Sequence, residues 1–177
     1  DVAYALSDTG LRVETSATNV GTDPCPYGTG HHPYLSAGGS LDRCRVTVRA
    51  ATRIVTDERQ LPTGQTSTEG TPFDLGRGPL FGDRQVDHAF TDLERDPGGK
   101  SWIRLVRADG RTTELWMDEN YRYLQLYSGD TLALDRRRLG LAVEPMTCPP
   151  DAFRTGEDVI RLEPSETITC VWGIGAA

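Results

Sequence analysis

The chain has 177 residues, 26 Asp or Glu against 19 Lys or Arg, and a formal net charge of −7. Hydrophobic residues make up 37% and charged residues 25%, a globular balance that argues against disorder and fibrous repeats. The acidic excess argues against a nucleic-acid or anionic-membrane partner, both of which favour a basic face, and no apolar run reaches the roughly 18 residues of a membrane span.

The length fits one domain over residues 1–177, able to bury roughly 70% of its unfolded surface. Asp1 leads directly into a strand-like segment without a basic or apolar leader, so no targeting segment is expected. Four cysteines, Cys25, Cys44, Cys148 and Cys170, lie far apart without a CxxC pair. A chain of this size does not need disulfide staples, so free buried thiols and a cytoplasmic location are expected.

A period of two dominates, and no amphipathic helix stands out. Leu11, Val13, Thr15 and Ala17 alternate with Arg12, Glu14, Ser16 and Thr18, as in a half-buried strand. The stretch Asn19–Gly39, rich in Gly and Pro, reads as irregular, and it carries His31 and His32 in Gly-Thr-Gly-His-His-Pro-Tyr. Val46, Val48 and Ala50 alternate with Arg45, Thr47 and Arg49. Leu61–Gly82 reads as a long surface connection, of a length uncommon unless functional or disordered. Further strands are predicted around Ile103–Leu105 and at 112–117, 122–127, 139–144, 158–162 and 167–172, separated by turn clusters such as Asp96-Pro97-Gly98-Gly99. Many short strands at regular spacing imply an all-β, antiparallel sandwich or barrel.

Few residues are equipped for chemistry. Pro33 forces His32 into an extended backbone, and a histidine in a glycine-rich loop can serve as general acid or base or simply cap a turn. Consecutive side chains on an extended segment point apart, so His31 and His32 are poor joint metal ligands, even with Asp87-His88 nearby, and no metal site is expected. On the predicted strand 139–144, Leu139, Leu141 and Val143 form one face and Gly140, Ala142 and Glu144 the other, with Pro145 as its end. A carboxylate beside two tiny residues either pairs with an Arg or faces a ligand. On strand 122–127, Tyr123, Gln125 and Tyr127 share a face; aromatic rings flanking an amide suit a sugar, and equally an exposed sheet face. Asp87 is a single carboxylate in a short mixed segment. Arg136–Arg138 reads as a solvated turn.

In chain order these segments resemble the aldose 1-epimerase (galactose mutarotase) family. Asn19-Val-Gly-Thr-Asp-Pro-Cys-Pro26 through His32-Pro33-Tyr34 is similar to the family's N-x-G-x-x-P-x-P…H-P-Y-F segment, with Leu35 where Phe is usual. Leu61-Pro-Thr-Gly64 resembles its (I/L)-P-T-G turn, and Val86-Asp-His-Ala-Phe90 its D-H/N-x-F segment. Gln125-Leu-Tyr-Ser-Gly129 is similar to Q-(F/L)-Y-T-G. Val143-Glu-Pro-Met-Thr-Cys-Pro-Pro-Asp-Ala-Phe153 resembles (L/V)-E-P-x-T-x-P-x-A-x-N, with Phe153 in place of Asn.

The resemblance implies a galactose-mutarotase-like β-supersandwich that interconverts the α and β anomers of a free hexose without metal or organic cofactor. By the same resemblance His32 protonates the ring oxygen, Glu144 takes the proton of the C1 hydroxyl, and Tyr34, Asp87 and Gln125 bind the sugar. The family fold carries a further N-terminal portion that nothing in this sequence matches. A second polypeptide, a cleaved N-terminal fragment or self-association is therefore expected to complete the fold, since half a sandwich exposes strand edges and apolar surface. Two alternatives stay open: a non-catalytic sugar-binding sandwich and a hexose-phosphate 1-epimerase, the latter requiring an Arg near the pocket.

Overall fold

The computed structural model describes residues 1–176. In chain order the strands are β1 (Val2–Ser7), β2 (Gly10–Thr18), β3 (Cys25–Tyr27), β4 (Tyr34–Ser36), β5 (Arg45–Val48), β6 (Ala50–Thr56) and β7 (Pro62–Ser67). They continue as β8 (Asp87–Leu93), β9 (Ser101–Val106), β10 (Thr112–Met117), β11 (Tyr123–Tyr127), β12 (Gly140–Met146), β13 (Ile160–Leu162) and β14 (Thr167–Ala176). A 3₁₀ turn at Leu41–Arg43 and one turn of α-helix, α1 (Ala152–Thr155), are the helical elements among the described residues.

Two six-stranded antiparallel sheets form a sandwich, in the orders β1-β2-β14-β10-β9-β5 and β4-β12-β11-β8-β6-β7, and β3 and β13 add a two-stranded ribbon. The expected alternation decides which faces meet. In β9, Ser101, Ile103 and Leu105 are buried while Trp102 and Arg104 face solvent. Val13, Leu105, Leu115, Met117 and Trp172 of the first sheet share one buried apolar cluster with Leu35, Phe90, Leu124, Leu126, Leu141 and Val143 of the second. Burial of such side chains contributes about 1.5–3 kcal/mol each.

Several stretches depart from the sequence expectation. Asn19–Gly39 contains strands β3 and β4, too short for a periodic signal to register. Leu61–Gly82 opens with edge strand β7, and its remainder buries Leu75 and Phe81 in the core. Backbone bonds from Val48 to Leu75 and from Phe81 to Cys44 hold this segment against β5, so apolar anchors, not regular structure, order it. Pro145 does not end its strand: β12 runs on to Met146, with Pro145 opposite Leu124 in the ladder.

The Arg136–Arg138 run also differs from a solvated turn. Arg138 has a side chain only 13% exposed and a left-handed backbone, φ 57°. Its guanidinium donates to Asp42 at 2.6 Å, to Asp130 at 2.8 Å and to the carbonyls of Arg84 and Gly82. A planar fork with five donors can satisfy all four acceptors at once, which an ammonium cannot. The side chain thereby binds the 128–139 loop to the 82–84 turn and to the 3₁₀ turn.

One strip of the first sheet's inner face, along β1, stays bare. Val2, Tyr4 and Leu6 lie opposite Thr15, Val13 and Leu11 of β2, on the core-facing side of the first sheet. They are nevertheless 51%, 69% and 83% exposed, because no second-sheet strand lies over them. The other backbone edge of β1 has no strand partner among the described residues.

Removing Arg138 strands two carboxylates and two carbonyls, so Arg138→Ala is expected to cost about 2–4 kcal/mol in urea unfolding. Arg138→Lys should recover less than half of that loss, because it restores charge but not the fork.

Candidate active site

The site is a patch of the outer face of the second sheet, and strand register assembles it. Gly30 bridges Met146, and Tyr34 pairs with Ala142 at the start of β4. The register is unchanged between those points, so the intervening residues run antiparallel to β12 and His32 stands opposite Glu144. The His31 amide donates to the Pro145 carbonyl at 3.1 Å and the Val143 amide to Pro33 at 3.0 Å. Across the next ladders, Glu144 faces Gln125 and Gln125 faces Ala89. The adjacent row on this face runs Tyr34, Ala142, Tyr127, Asp87. Side chains two residues apart on one strand share a face, so the two rows form one surface.

Close backbone approach makes the loop possible. At Gly28 an added Cβ would sit 2.8 Å from the Cys148 sulfur, and at Gly30 it would sit 3.3 Å from the Pro145 carbonyl oxygen. Thr29 then exchanges hydrogen bonds with Thr147, which continues the pairing beyond Met146.

A cleft of about 490 Å³ lies on this surface, lined by His32, Asp87, Gln125, Tyr127, Glu144 and Thr131 together with Thr56, Gln60 and Met146. His32 Nε2 lies 3.1 Å from Glu144 Oε1, with side-chain exposures of 55% and 15%. The imidazole is thus open to solvent while the carboxylate is shielded. Gln125 Nε2 donates to Asp87 Oδ1 at 2.7 Å, which fixes the amide and leaves its oxygen free to accept. Burial pushes the Glu144 carboxyl above the ordinary range; neighbouring His32 opposes the rise and Asp87 adds to it. A shielded carboxylate touching an imidazole, beside a fixed amide and a second carboxylate, can take a proton at one atom of a bound polyol and give one at another.

The structure brings His32, Glu144, Asp87 and Gln125 together in the cleft. Tyr34 stands at its rim, stacked on His32 with ring centroids 5.1 Å apart and 26° between planes, and it borders a neighbouring groove with Leu132 and Leu139. Tyr123 shares the face of Gln125 but is buried beneath Ile54 and Met146, and its hydroxyl donates to Asp158 at 2.5 Å. Its aromatic ring therefore supports the floor instead of meeting a ligand. His88 turns inward, edge-on to Phe73 at 5.0 Å, and burial lowers its proton affinity. His31 also points away from His32, and among the described residues no group of three or more His, Cys, Asp or Glu is placed to hold a metal.

Thr56, Gln60 and Thr131 join the lining without any sequence signal. Thr56 and Gln60 come from the locally bonded turn between β6 and β7, and Thr131 from the loop that Arg138 ties to Asp42.

The family model for aldose 1-epimerases matches residues 1–173. The protein YihR of Escherichia coli K12 is 32% identical over 164 residues, covering 92% of this chain and 50% of YihR. A galactose mutarotase-like protein from Clostridium acetobutylicum superposes with a TM-score of 0.82 at 21% identity, over 99% of this chain and 55% of its own. The aldose epimerase homologue of Caenorhabditis elegans gives 0.82 at 17% identity, over 99% and 58%. At these identities the two structures speak to the fold, which is the galactose mutarotase-like sandwich. The chain spans a little over half the length of each of them, and half that of YihR. The order of its motifs and a family match over nearly its whole length agree: this chain belongs to the aldose 1-epimerase family.

Proposed function

We propose that the chain carries the acid–base pair of an aldose 1-epimerase acting on a free hexose. The observation that carries this is the contact of His32 with Glu144 at 3.1 Å, on facing positions of a sheet whose next row supplies Asp87. In the reactive state the proton is on His32 and Glu144 is ionised. The sugar replaces their mutual contact: His32 gives its proton to the ring oxygen as the C1–O5 bond breaks, and Glu144 takes the proton of the C1 hydroxyl. The aldehyde rotates about C1–C2. Closure then returns each proton along the same route, so one turnover restores both groups and needs no further proton donor.

Asp87 and Gln125 bind hydroxyls on this scheme, and Tyr34 backs the imidazole of His32. The polar lining of the cleft contains two carboxylates and no Lys or Arg among the described residues, which supports a neutral sugar over a phosphorylated one. Four free thiols agree with a cytoplasmic setting, and among the described residues no helix is long and apolar enough to cross a membrane.

The uncovered row Val2, Tyr4 and Leu6 supports a further polypeptide laid along β1, of the kind that the greater length of the relatives provides. In its absence, sedimentation velocity is expected to show concentration-dependent self-association that the double variant Tyr4→Thr, Leu6→Thr reduces. A monomer at every concentration would remove the need for such a partner.

Two-dimensional exchange NMR on α/β-glucose and α/β-galactose tests the activity directly. Anomer exchange above the buffer rate is expected, with His32→Asn and Glu144→Gln each lowering it by about 10²–10⁴-fold. Exchange that survives both substitutions would overturn the assignment. Glu144 acts as base only when ionised, so the rate should fall as pH drops through its raised value. Asp87→Asn removes one cause of that rise and should move the acidic limb to lower pH. Stability runs in the opposite sense. The contribution of a raised carboxyl is present below the ordinary carboxylate range and is lost as pH rises through the raised value. At neutral pH Glu144→Gln should therefore melt no lower than the parent, because the lost partner, His32, is largely exposed.

A further inference from the structure

We propose that His31, which the acid–base scheme does not use, is the positioning residue that holds His32 against Glu144; the function assigned to it rests on the mutarotase activity proposed above. Two prolines weaken the main-chain ladder where the reactive pair stands. Pro33 and Pro145 have no N–H to donate, so the nearest ties are the single bonds from His31 to Pro145 and from Val143 to Pro33. His32 itself is 55% exposed on its side chain and receives little packing beyond the Tyr34 ring. Something other than the ladder must hold its backbone.

His31 supplies that hold from the opposite face. It enters the space between the sheets, where its Nε2 lies 3.1 Å from Thr15 Oγ1 of β2. Its ring sits 5.3 Å from that of Trp172 on β14, tilted by 47°, and 6.1 Å from that of Tyr121 in an edge-on arrangement. All three partners are firmly placed: Thr15 is 8% exposed, Trp172 4% and Tyr121 0%. The ring therefore pegs the Gly30–Tyr34 segment to the first sheet, although His32 works on the far face of the second. Burial also lowers the proton affinity of His31, which favours the neutral ring in its place between the sheets. Neighbouring residues share a rigid peptide plane. A loosened His31 thus lets His32 swing, and a displacement of about 1 Å at a reacting group can cost 10²-fold in rate.

Four substitutions separate this role from simple packing: His31→Phe, which keeps a ring but loses the bond to Thr15; His31→Gln, which keeps a bonding group; His31→Ala; and Thr15→Val. Rates come from anomer exchange NMR. The geometry of His32 is read independently from nuclear Overhauser contacts between the His32 and Tyr34 rings. His31→Ala is expected to lower kcat by about 10–100-fold with KM within twofold, and to weaken those contacts. His31→Phe and Thr15→Val should show the same loss more mildly, at near-parental melting temperature, and their combination should be no worse than either alone. His31→Gln should recover most of the rate. Unchanged ring contacts and kcat in His31→Phe and His31→Ala would overturn the proposal. So would a fall to the His32→Asn level with the contacts intact, which would make His31 a direct participant. If the parent protein itself fails to exchange anomers, the mutarotase assignment falls. The ring contacts alone then decide whether His31 holds His32.

Discussion

The site depends on an antiparallel register that persists where the ladder is chemically poorest. From Gly30 to Tyr34 the chain follows β12 in step, yet prolines on both sides deprive it of donors. The proline pair keeps the register but leaves one backbone bond at each of two pairs where regular pairing would make two. Anchoring is moved to the flanks: Thr29 on Thr147, the His31 ring on Thr15, and the short pairing of β4 with β12. The facing positions of His32 and Glu144 are thus held by residues that lie outside the cleft.

The floor of the site follows the same logic. Its small positions are Ala142, between Tyr34 and Tyr127 in one row, and Ala89, beyond Gln125 at the end of the other. Bulk is placed at one side, where Tyr123, Ile54 and Met146 pack together. Burial raises the affinity of Glu144 for a proton, while exposure of His32 opens the imidazole to solvent. Two groups in direct contact are given unequal surroundings, which is how a single pair can serve as acid and base in turn.

Much of this was legible in the sequence. Alternation alone identified the long strands, because β2, β9 and β14 each bury one face against the other sheet and solvate the other. It also set Glu144 and Gln125 on the non-core side of their strands, where they stand. Short strands escaped notice: β3 and β4 have three residues each, fewer than two periods of alternation. Pro145 seemed to stop β12, since the rule against prolines in strands ignores the case where the neighbouring segment supplies the donor; here the His31 amide meets the Pro145 carbonyl. Tyr123 reads from the sequence either as a ring facing a sugar or as part of an exposed sheet face, because alternation says which face a side chain takes, not what lies above that face. Arg138 looked solvated because its four acceptors come from residues 42, 82, 84 and 130, none of which is a local neighbour except Asp130.

The adjacent histidines have a consequence for how the chain tolerates changes of length. Side chains alternate between faces, so inserting one residue ahead of His31 would move its ring to the place of His32, and an imidazole would still stand over Glu144. By residue type the surface would look intact. The prolines would not exchange with them: Pro33 and Pro145 each stand one position after a residue of the pair, and a slip would set Pro33 against a different partner. The pair of prolines therefore acts as a spelling check on a motif whose two central letters are the same. A chain that slipped by one would keep its chemistry on paper and lose the bond between the His31 amide and the Pro145 carbonyl.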